Sequence, residues 1–293
     1  MIDIWQEIYS TIKRNKLRTF LTGFAVAWGI FMLIVLLGAG NGLIHAFEES
    51  SSERALNSIK IYPGWTSKSY DGLKEGRKIQ LDNKDLRITD THFPDYVIKA
   101  GASIWQGTVT ISFGSEYASV GLAGVFPNHI EIETIKLFKG RFINETDIKE
   151  RRKVIVLHKK TAEILFHKTH TEPIGQFVNI GNVTYRVVGL CNDKGDSGEK
   201  PALIPFSTLQ TIYNKGDKLS CLTIATKNLE TIEANNNFEK EYRKALGANH
   251  RFDPTDNSAL WIWNQFTNYL QQQKGMAILR TGIWVIGIFT LLS

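Results

Sequence analysis

The sequence predicts a membrane protein that carries one large α+β domain outside the cytoplasm. Residues 19–47 form a stretch of 29 residues without Asp, Glu, Lys or Arg. A second apolar run begins at residue 281 and reaches residue 293, and more than 200 polar, mixed-charge residues lie between the two runs. Apolar runs on both sides of a polar segment are typical of membrane helices that flank an extramembrane domain.

The first apolar run is long enough to cross a membrane. A spanning helix needs about 20 apolar residues, and residues 20–37 alone meet that requirement before the uncharged stretch continues. We therefore expect the helix to project beyond the bilayer as a stalk. A cleaved signal peptide is the alternative, but the apolar part of a signal is only about 7–15 residues long. By the positive-inside rule the N-terminus is cytoplasmic, because four basic residues precede the run: Lys13, Arg14, Lys16 and Arg18.

The first 18 residues are predicted to form an amphipathic helix at the inner membrane surface. Apolar side chains recur there at intervals of four residues: Ile4, Trp5, Ile8, Tyr9 and Ile12. The formal net charge of +6 is otherwise diffuse, and no basic stripe with interleaved aromatic residues is present in the sequence. This pattern favours contact with anionic lipid and argues against nucleic acid as a partner.

The second apolar run is too short for a full crossing. Only 13 residues follow Arg280, which corresponds to about 20 Å of helix. The sequence thus predicts a second membrane helix that begins near residue 275 and is cut within the bilayer, so that the natural protein continues. Four aromatic residues precede this run, either as an aromatic belt at the outer leaflet or as the apolar face of the descending helix: Trp261, Trp263, Phe266 and Tyr269.

The polar segment alternates between strand and helix patterns. The predicted strands cover residues 58–62, 103–112, 117–125, 154–157, 176–180, 183–190, 202–205 and 219–226. The predicted helices cover residues 81–89, 159–166, 207–213 and 229–246. Ser207 is expected as an N-cap and Gly247 as a C-cap. We expect an α+β domain with two lobes.

No constellation of residues predicts catalysis, a cofactor or a metal. Residues 195–198 match the nucleophile turn of trypsin-like proteases over four residues only, so a polar surface turn is favoured. His158, His167 and His170 have no acidic or cysteine partner at ligand spacing. The sequence contains no phosphate-binding loop of the G-x-x-x-x-G-K-[ST] type.

Two pairs of residues leave alternatives open. Cys191 and Cys221 both lie in the extracytoplasmic segment, where either a disulfide or two buried thiols is compatible with the spacing. Gly38 and Gly42 form a G-x-x-x-G near the outer end of the first span. They either allow a second helix to approach closely or loosen the helix as it leaves the bilayer.

Short motifs in a fixed order resemble the permease subunits of MacB-type ABC transporters, within the wider FtsX-like permease family. The entrance to the first span, residues 13–22, is similar to the family pattern N-K-x-R-[ST]-x-L-T. Later elements match its strand with a P-G turn, G-V-x-P, G-R-x-[IF], P-[IL]-G-[KQ] and F-x-V-[VI]-G signatures. They stand at residues 59–64, 124–127, 140–143, 173–176 and 185–189. The run at residues 23–29 departs from the family by an extra residue and a Trp.

The resemblance implies a four-helix permease of the bacterial inner membrane, truncated here, with a MacB-like periplasmic core domain. That domain is expected to combine a mixed α/β lobe with a β-rich lobe. The expected segments are a cytoplasmic part (1–18), the first span and stalk (19–47), the periplasmic domain (48–274) and the start of the second span (275–293).

The resemblance also implies partners. Permeases of this kind work as homodimers or heterodimers with a cytoplasmic ABC ATPase, and a periplasmic adaptor and an outer-membrane channel accompany the exporters. Because 18 residues precede the first span, the ATPase is expected as a separate chain, and the N-terminal segment as one place for it to dock. The permease itself is expected to be non-catalytic.

Three tasks fit a subunit that transmits ATP-driven motion across the membrane. Export of a small molecule or peptide is the first expectation, followed by release of lipoproteins and by regulation of a cell-wall hydrolase. A membrane-anchored enzyme is a different class of function. It would require catalytic residues that the sequence does not show.

Overall fold

The computed structural model of the protein describes residues 15–52, 57–168, 170–192 and 201–292. The helices are α1 (Lys16–Ser52), α2 (Asn83–His92), α3 (His129–Ile132), α4 (Glu145–Lys149), α5 (Lys159–Phe166), α6 (Phe206–Ile212), α7 (Ile232–His250) and α8 (Gln265–Leu292). The strands are β1 (Ser58–Pro63), β2 (Val97–Phe113), β3 (Glu116–Val125), β4 (Leu137–Gly140), β5 (Val154–His158), β6 (Phe177–Ile180), β7 (Val183–Cys191), β8 (Ala202–Pro205), β9 (Cys221–Thr226) and β10 (Leu260–Asn264).

Helix α1 has the length and composition of a membrane span. Among the described residues, Lys16–Gly42 is the one helical stretch apolar enough to cross a bilayer, with a mean hydropathy of 2.5, and none of it is buried inside the protein. The hydroxyl groups of Thr19 and Thr22 donate to the carbonyls of Asn15 and Arg18, one turn earlier. Both hydroxyls are therefore satisfied within the helix, as an apolar surrounding requires.

The close approach between α1 and α8 occurs at a glycine that the sequence did not single out. A Cβ atom on Gly40 would lie 2.5 Å from Cδ1 of Ile283, whereas Gly38 and Gly42 have no other heavy atom within 4 Å of that position. Gly40, which lies midway between the two predicted glycines in the sequence, thus provides the space for Ile283.

Residues 54–268 form one compact unit built on a ten-stranded sheet. The strand order is β10-β1-β9-β2-β3-β8-β5-β7-β4, with β6 paired to β2 and β7. Most pairs are antiparallel, and β3–β8 and β5–β7 are parallel. Strand β2 is 17 residues long and pairs with β9 through its first part and with β3 through its second. The two predicted lobes are therefore two halves of one sheet rather than separate units.

Apolar side chains form a cluster on each face of the sheet. The larger cluster includes Leu165 of α5 and Phe238 and Tyr242 of α7. Phe93 packs against Phe238 and Tyr242 with ring centroids 5.6 and 5.3 Å away, in tilted or edge-on arrangements. On the other face a smaller cluster joins Ala123 and Val125 of β3 to Phe142 and Ile143. The latter two belong to residues 126–148, which we call the cover segment.

Several predicted elements are confirmed with small shifts in their ends. The hairpin around Gly181-Asn182, the strand-helix pair β5–α5 and the β2–β3 pair all form. The predicted caps are wrong. Helix α6 begins at Phe206, and the Ser207 hydroxyl donates to the Ile148 carbonyl at 2.5 Å instead of capping the helix. Helix α7 continues past Gly247 to His250, and Arg251 adopts the left-handed conformation, with φ 52°, that ends it.

Candidate functional site

Strands β1 and β10 present a row of aromatic residues on one face of the sheet. Because side chains alternate along a strand, Ile59 and Ile61 point into the larger cluster and are 1% and 0% exposed, while Lys60 and Tyr62 lie on the opposite face. The antiparallel register places Tyr62 opposite Trp261 and Lys60 opposite Trp263. We call these four residues the aromatic face.

The aromatic side chains of this face are open to solvent. Tyr62, Trp263 and Trp261 are 40%, 47% and 68% exposed. The indole N–H of Trp263 donates to Oε1 of Gln265 at 3.1 Å, so its polar group is already satisfied within the chain. Burial and the neighbouring Cys221 thiol raise the pKa of the Tyr62 hydroxyl. The tyrosine is therefore neutral at physiological pH, and the face presents uncharged rings.

The cover segment contacts the aromatic face at Lys60. Lys60 forms an ion pair with Glu133 of the cover segment, and this pairing neutralises the one cation among the four residues. Further along the same face the cover segment approaches the sheet closely. Asn128, which is 1% exposed, lies over Gly101 of β2 and occupies the space that a Cβ atom would need there. The aromatic face is the part of this sheet surface that the cover segment leaves open.

Asn264, the last residue of β10, caps the start of α8. Oδ1 of Asn264 accepts hydrogen bonds from the amides of Phe266 and Thr267 at 3.1 and 3.3 Å, which is how an asparagine caps a helix N-terminus. Nδ2 of Asn264 donates to Oδ1 of Asn235 in α7 at 2.6 Å, and both asparagines are buried. A buried polar contact with α7 thus holds Asn264, the residue that caps α8, in place.

Buried carboxylates stiffen the domain at three places. Asp85 of α2 accepts from Nε2 of His250 and Nδ2 of Asn249, at 2.8 Å each, at the end of α7. Asp147 is fully buried and accepts two hydrogen bonds from the Arg141 guanidinium at 2.6 and 3.1 Å. Such pairs compensate the cost of burying a charge. Asp85 joins α2 to the end of α7, whereas Asp147 holds together residues within six positions of itself.

The third buried carboxylate, Asp256, holds two loops together. It accepts from the amide and hydroxyl of Ser67 at 2.6 and 2.7 Å and from the amides of Lys68 and Ser258 at 3.1 and 3.0 Å. Burial raises the pKa of Asp256, but these hydrogen bonds outweigh burial and leave the pKa below its ordinary value. The carboxylate is ionised at neutral pH and serves as a structural anchor.

The histidines and cysteines considered in the sequence do not converge. His158 caps α5 by accepting from the Lys160 amide at 3.4 Å, while His167 and His170 are exposed, with ring centroids 6.3 Å apart. In the described ranges no group of three or more His, Cys, Asp or Glu side chains is arranged to hold a metal ion. Cys191 and Cys221 are both buried thiols, so the disulfide alternative is wrong.

Some predictions concern other parts of the chain. The amphipathic segment with Ile4, Trp5, Ile8, Tyr9 and Ile12, and the turn at residues 195–198, lie outside the described residues. Trp261 and Trp263 belong to β10, so the interpretation as a helix face is wrong for these two, whereas Phe266 and Tyr269 do lie in α8. The aromatic face itself was missed, although the alternation in residues 260–264 is a strand signal.

Comparison with known proteins gives one consistent result. Residues 19–237 match the family model described as the MacB-like periplasmic core domain. The chain is 27% identical over 224 residues to the macrolide export ATP-binding/permease protein MacB of Bartonella henselae, covering 75% of this chain and 33% of that protein. It is 24% identical to the Chlorobium luteolum protein of the same name, covering 88% of this chain and 38% of that protein. The chain thus spans about a third of the length of these relatives.

Two solved structures share the fold. The periplasmic region of MacB from Actinobacillus actinomycetemcomitans aligns with a TM-score of 0.60 at 19% identity, covering 76% of this chain and 95% of that one. The extracellular domain of the noncanonic ABC-type transporter YknZ from Gram-positive bacteria aligns with a TM-score of 0.57 at 21% identity, covering 71% and 100%. The family match covers three quarters of the sequence and agrees with the fold, and the chain belongs to the family that carries the MacB-like periplasmic core domain.

Proposed function

We propose that the chain is part of an ABC transporter permease that couples ATP hydrolysis in an ATPase partner to work on the outer side of the inner membrane. The observation that carries the proposal is the match to the MacB-like periplasmic core domain together with an apolar helix of spanning length at the start of the matched region. In this proposal the N-terminus is cytoplasmic, residues 48–274 are periplasmic and the chain itself hydrolyses nothing.

The way the helices join the sheet supports a mechanical role. Helix α1 precedes β1 in the chain, and β10 leads directly into α8. Strands β1 and β10 are neighbours, and Ile59 near the start of β1 pairs with Asn264 at the end of β10. Both helices therefore connect to the same end of one strand pair. In this proposal, movement of α1 or α8 is passed to the sheet through the β1–β10 pair.

The proposed second span lies within one continuous helix. Helix α8 begins at Gln265, ten residues before the expected start of the span at residue 275. Between Gln265 and Arg280 the helix rises about 22 Å, at about 1.5 Å per residue. We propose that this polar part of α8 belongs to the stalk and that the apolar part after Arg280 enters the bilayer.

Purification of the full-length gene product in mild detergent tests this proposal. We expect a stoichiometric ABC ATPase to co-purify and its ATP hydrolysis to depend on the permease. A matched preparation with a hydrolysis-deficient ATPase should retain the complex and lose the turnover. Recovery of the permease without an ATPase, from cells that express the ATPase gene, would contradict the proposal.

The same preparation distinguishes the three tasks. A periplasmic adaptor in the complex favours export through an outer-membrane channel. A bound lipoprotein favours lipoprotein release, and a bound cell-wall hydrolase favours regulation of that enzyme. Export is our first choice because the relatives found in the comparison are named as macrolide exporters.

A further inference from the structure

The two tryptophans of the aromatic face lie within a stretch of chain that has no charged residue. Residues 257–273 include no Asp, Glu, Lys or Arg, a run of 17 residues in a chain with 22% charged residues. At that composition a run of this length carries about four charges. Outside a membrane helix, exposed strands normally carry charged residues that prevent association. Their absence beside two exposed tryptophans marks a surface that is covered in the working protein.

The neutrality of the surface indicates what covers it. In a two-fold symmetric contact, a residue near the axis meets its own copy, so any charge there faces a like charge. Uncharged aromatic rings carry no such penalty and pack well against their own copies. A different protein partner would instead be expected to find charges that complement its own. Here the one cation, Lys60, is already paired with Glu133 within the chain.

A lipid surface fits the same residues less well. Along the chain, the sixteen residues from Gln265 to Arg280 separate β10 from the apolar part of α8. This stretch contains Gln271, Gln272, Gln273 and Lys274, which are unfavourable in hydrocarbon. Along the chain, a polar stretch therefore separates Trp261 and Trp263 from the apolar part of α8.

We propose that the aromatic face is the contact between two copies of this chain, with Trp261 and Trp263 close to the two-fold axis. This inference rests on the proposed function, since it assigns a surface to the dimer of the permease. It places a contact between the two sheets outside the membrane. Through this contact the motions of the two copies are coupled. Tyr62 and the Lys60–Glu133 pair form its border with the cover segment.

Cysteine cross-linking of the full-length protein in native membranes tests the proposal. Trp261→Cys and Trp263→Cys are oxidised with copper phenanthroline and analysed on non-reducing gels. A disulfide requires Cα atoms within about 7 Å, which only positions near the axis satisfy. Tyr117→Cys is the matched control, because Tyr117 is an aromatic residue of β3 that is 72% exposed and lies outside the proposed contact.

The expected result is a disulfide-linked homodimer from Trp261→Cys or Trp263→Cys at least tenfold above the yield from Tyr117→Cys. The native thiols do not interfere, because Cys191 and Cys221 are buried, and their continued protection from a maleimide reports that each variant is folded. Equal yields from all three variants would overturn the proposal. Cross-linking to a chain of different mass, or capture of lipid by a photoreactive probe on Trp261→Cys, would overturn it as well.

The ATPase is quantified in the same membranes, so that failure of the proposed dimer contact is distinguished from failure of the proposed permease function. If the ATPase co-purifies and no homodimer is trapped, the aromatic face is not the dimer contact and the permease function stands. If the ATPase is absent as well, the proposed function fails with it.

Discussion

At the scale of single residues, buried polar groups connect segments that are far apart in the sequence. Asp256 anchors residues 67 and 68 across almost the whole length of the domain sequence. Asp85 and His250 are separated by 165 positions and join the start of α2 to the end of α7. The carboxylates of Asp85 and Asp256 therefore serve as structural contacts within the domain.

Asp256→Asn is expected to lower the free energy of unfolding by about 1–3 kcal/mol at pH 7. The folded-state pKa of Asp256 lies below its ordinary value, so the stabilisation is complete above about pH 4 and is lost as the pH falls through the folded-state pKa. Melting temperatures of the detergent-purified protein at pH 7 and pH 3 measure this. A difference between variant and wild type that does not shrink at pH 3 would contradict it.

His250→Ala is expected to cost about 1–3 kcal/mol, because it leaves the buried Asp85 carboxylate without one of its donors. His250→Gln is the control, since its amide N–H retains a donor near the same position. We expect the melting temperature to fall clearly for the alanine variant and by less for the glutamine variant. If both variants melt like the wild type, the contact between α2 and α7 does not contribute to stability.

At the scale of elements, local patterns predicted most of the strands and helices but not their ends. The alternation of β5, β6 and β7 and the turn at Gly181 are local signals, and these elements are present. The first part of β2 was missed because Lys99, Ala100 and Gly101 carry no strand pattern. They are held in the sheet by pairing with β9, which lies more than 100 residues later in the chain. The hydrogen bonds of Ser207 to Ile148 and of His250 to Asp85 depend on such distant contacts and could not be predicted.

Gly247 shows how a distant contact overrides a local rule. A glycine near the end of a helical pattern predicts a C-cap, yet Gly247 lies inside α7 and is buried. A Cβ atom there would come within 2.9 Å of the backbone carbonyl oxygen of Phe252. A side chain at this position would collide with the backbone at Phe252, which lies against Gly247 after the helix ends one turn later.

Gly247→Ala is therefore expected to destabilise the domain, although alanine is favoured over glycine in a helix by about 1 kcal/mol. Ala248→Gly is the matched control at an exposed neighbouring position and is expected to lose about 1 kcal/mol through helix propensity alone. Opposite substitutions at adjacent sites should both lower the melting temperature. A rise for Gly247→Ala would show that the Phe252 backbone moves freely away.

At the scale of the whole molecule, the sequence and the structure agree on an apolar helix of membrane-spanning length followed by a large α+β domain. The α+β domain, the family and the apolar helix were predicted from the sequence, since they depend on long apolar runs and on motifs in order. The single continuous sheet was not predicted. The first part of the long β2, which joins the two halves, carries no strand pattern in the sequence.

The predicted topology is tested with Tyr117→Cys, which places an exposed thiol on the domain. In intact cells with a permeabilised outer membrane, we expect a membrane-impermeant maleimide to label this variant and to leave the wild type unlabelled. Cys191 and Cys221 are buried, and burial raises the pKa of the Cys221 thiol to about 12, so neither reacts readily. Labelling of Tyr117→Cys only after cell lysis would place the domain in the cytoplasm.

The pairing of β1 with β10 determines how the domain responds to force. A pull that slides the two strands past each other loads all hydrogen bonds of their ladder at once, whereas a pull that separates their ends loads the bonds one after another. The strand ends next to α1 and α8 are paired at Ile59 and Asn264. The strand pair therefore resists shear strongly and separates easily when its paired ends are pulled apart.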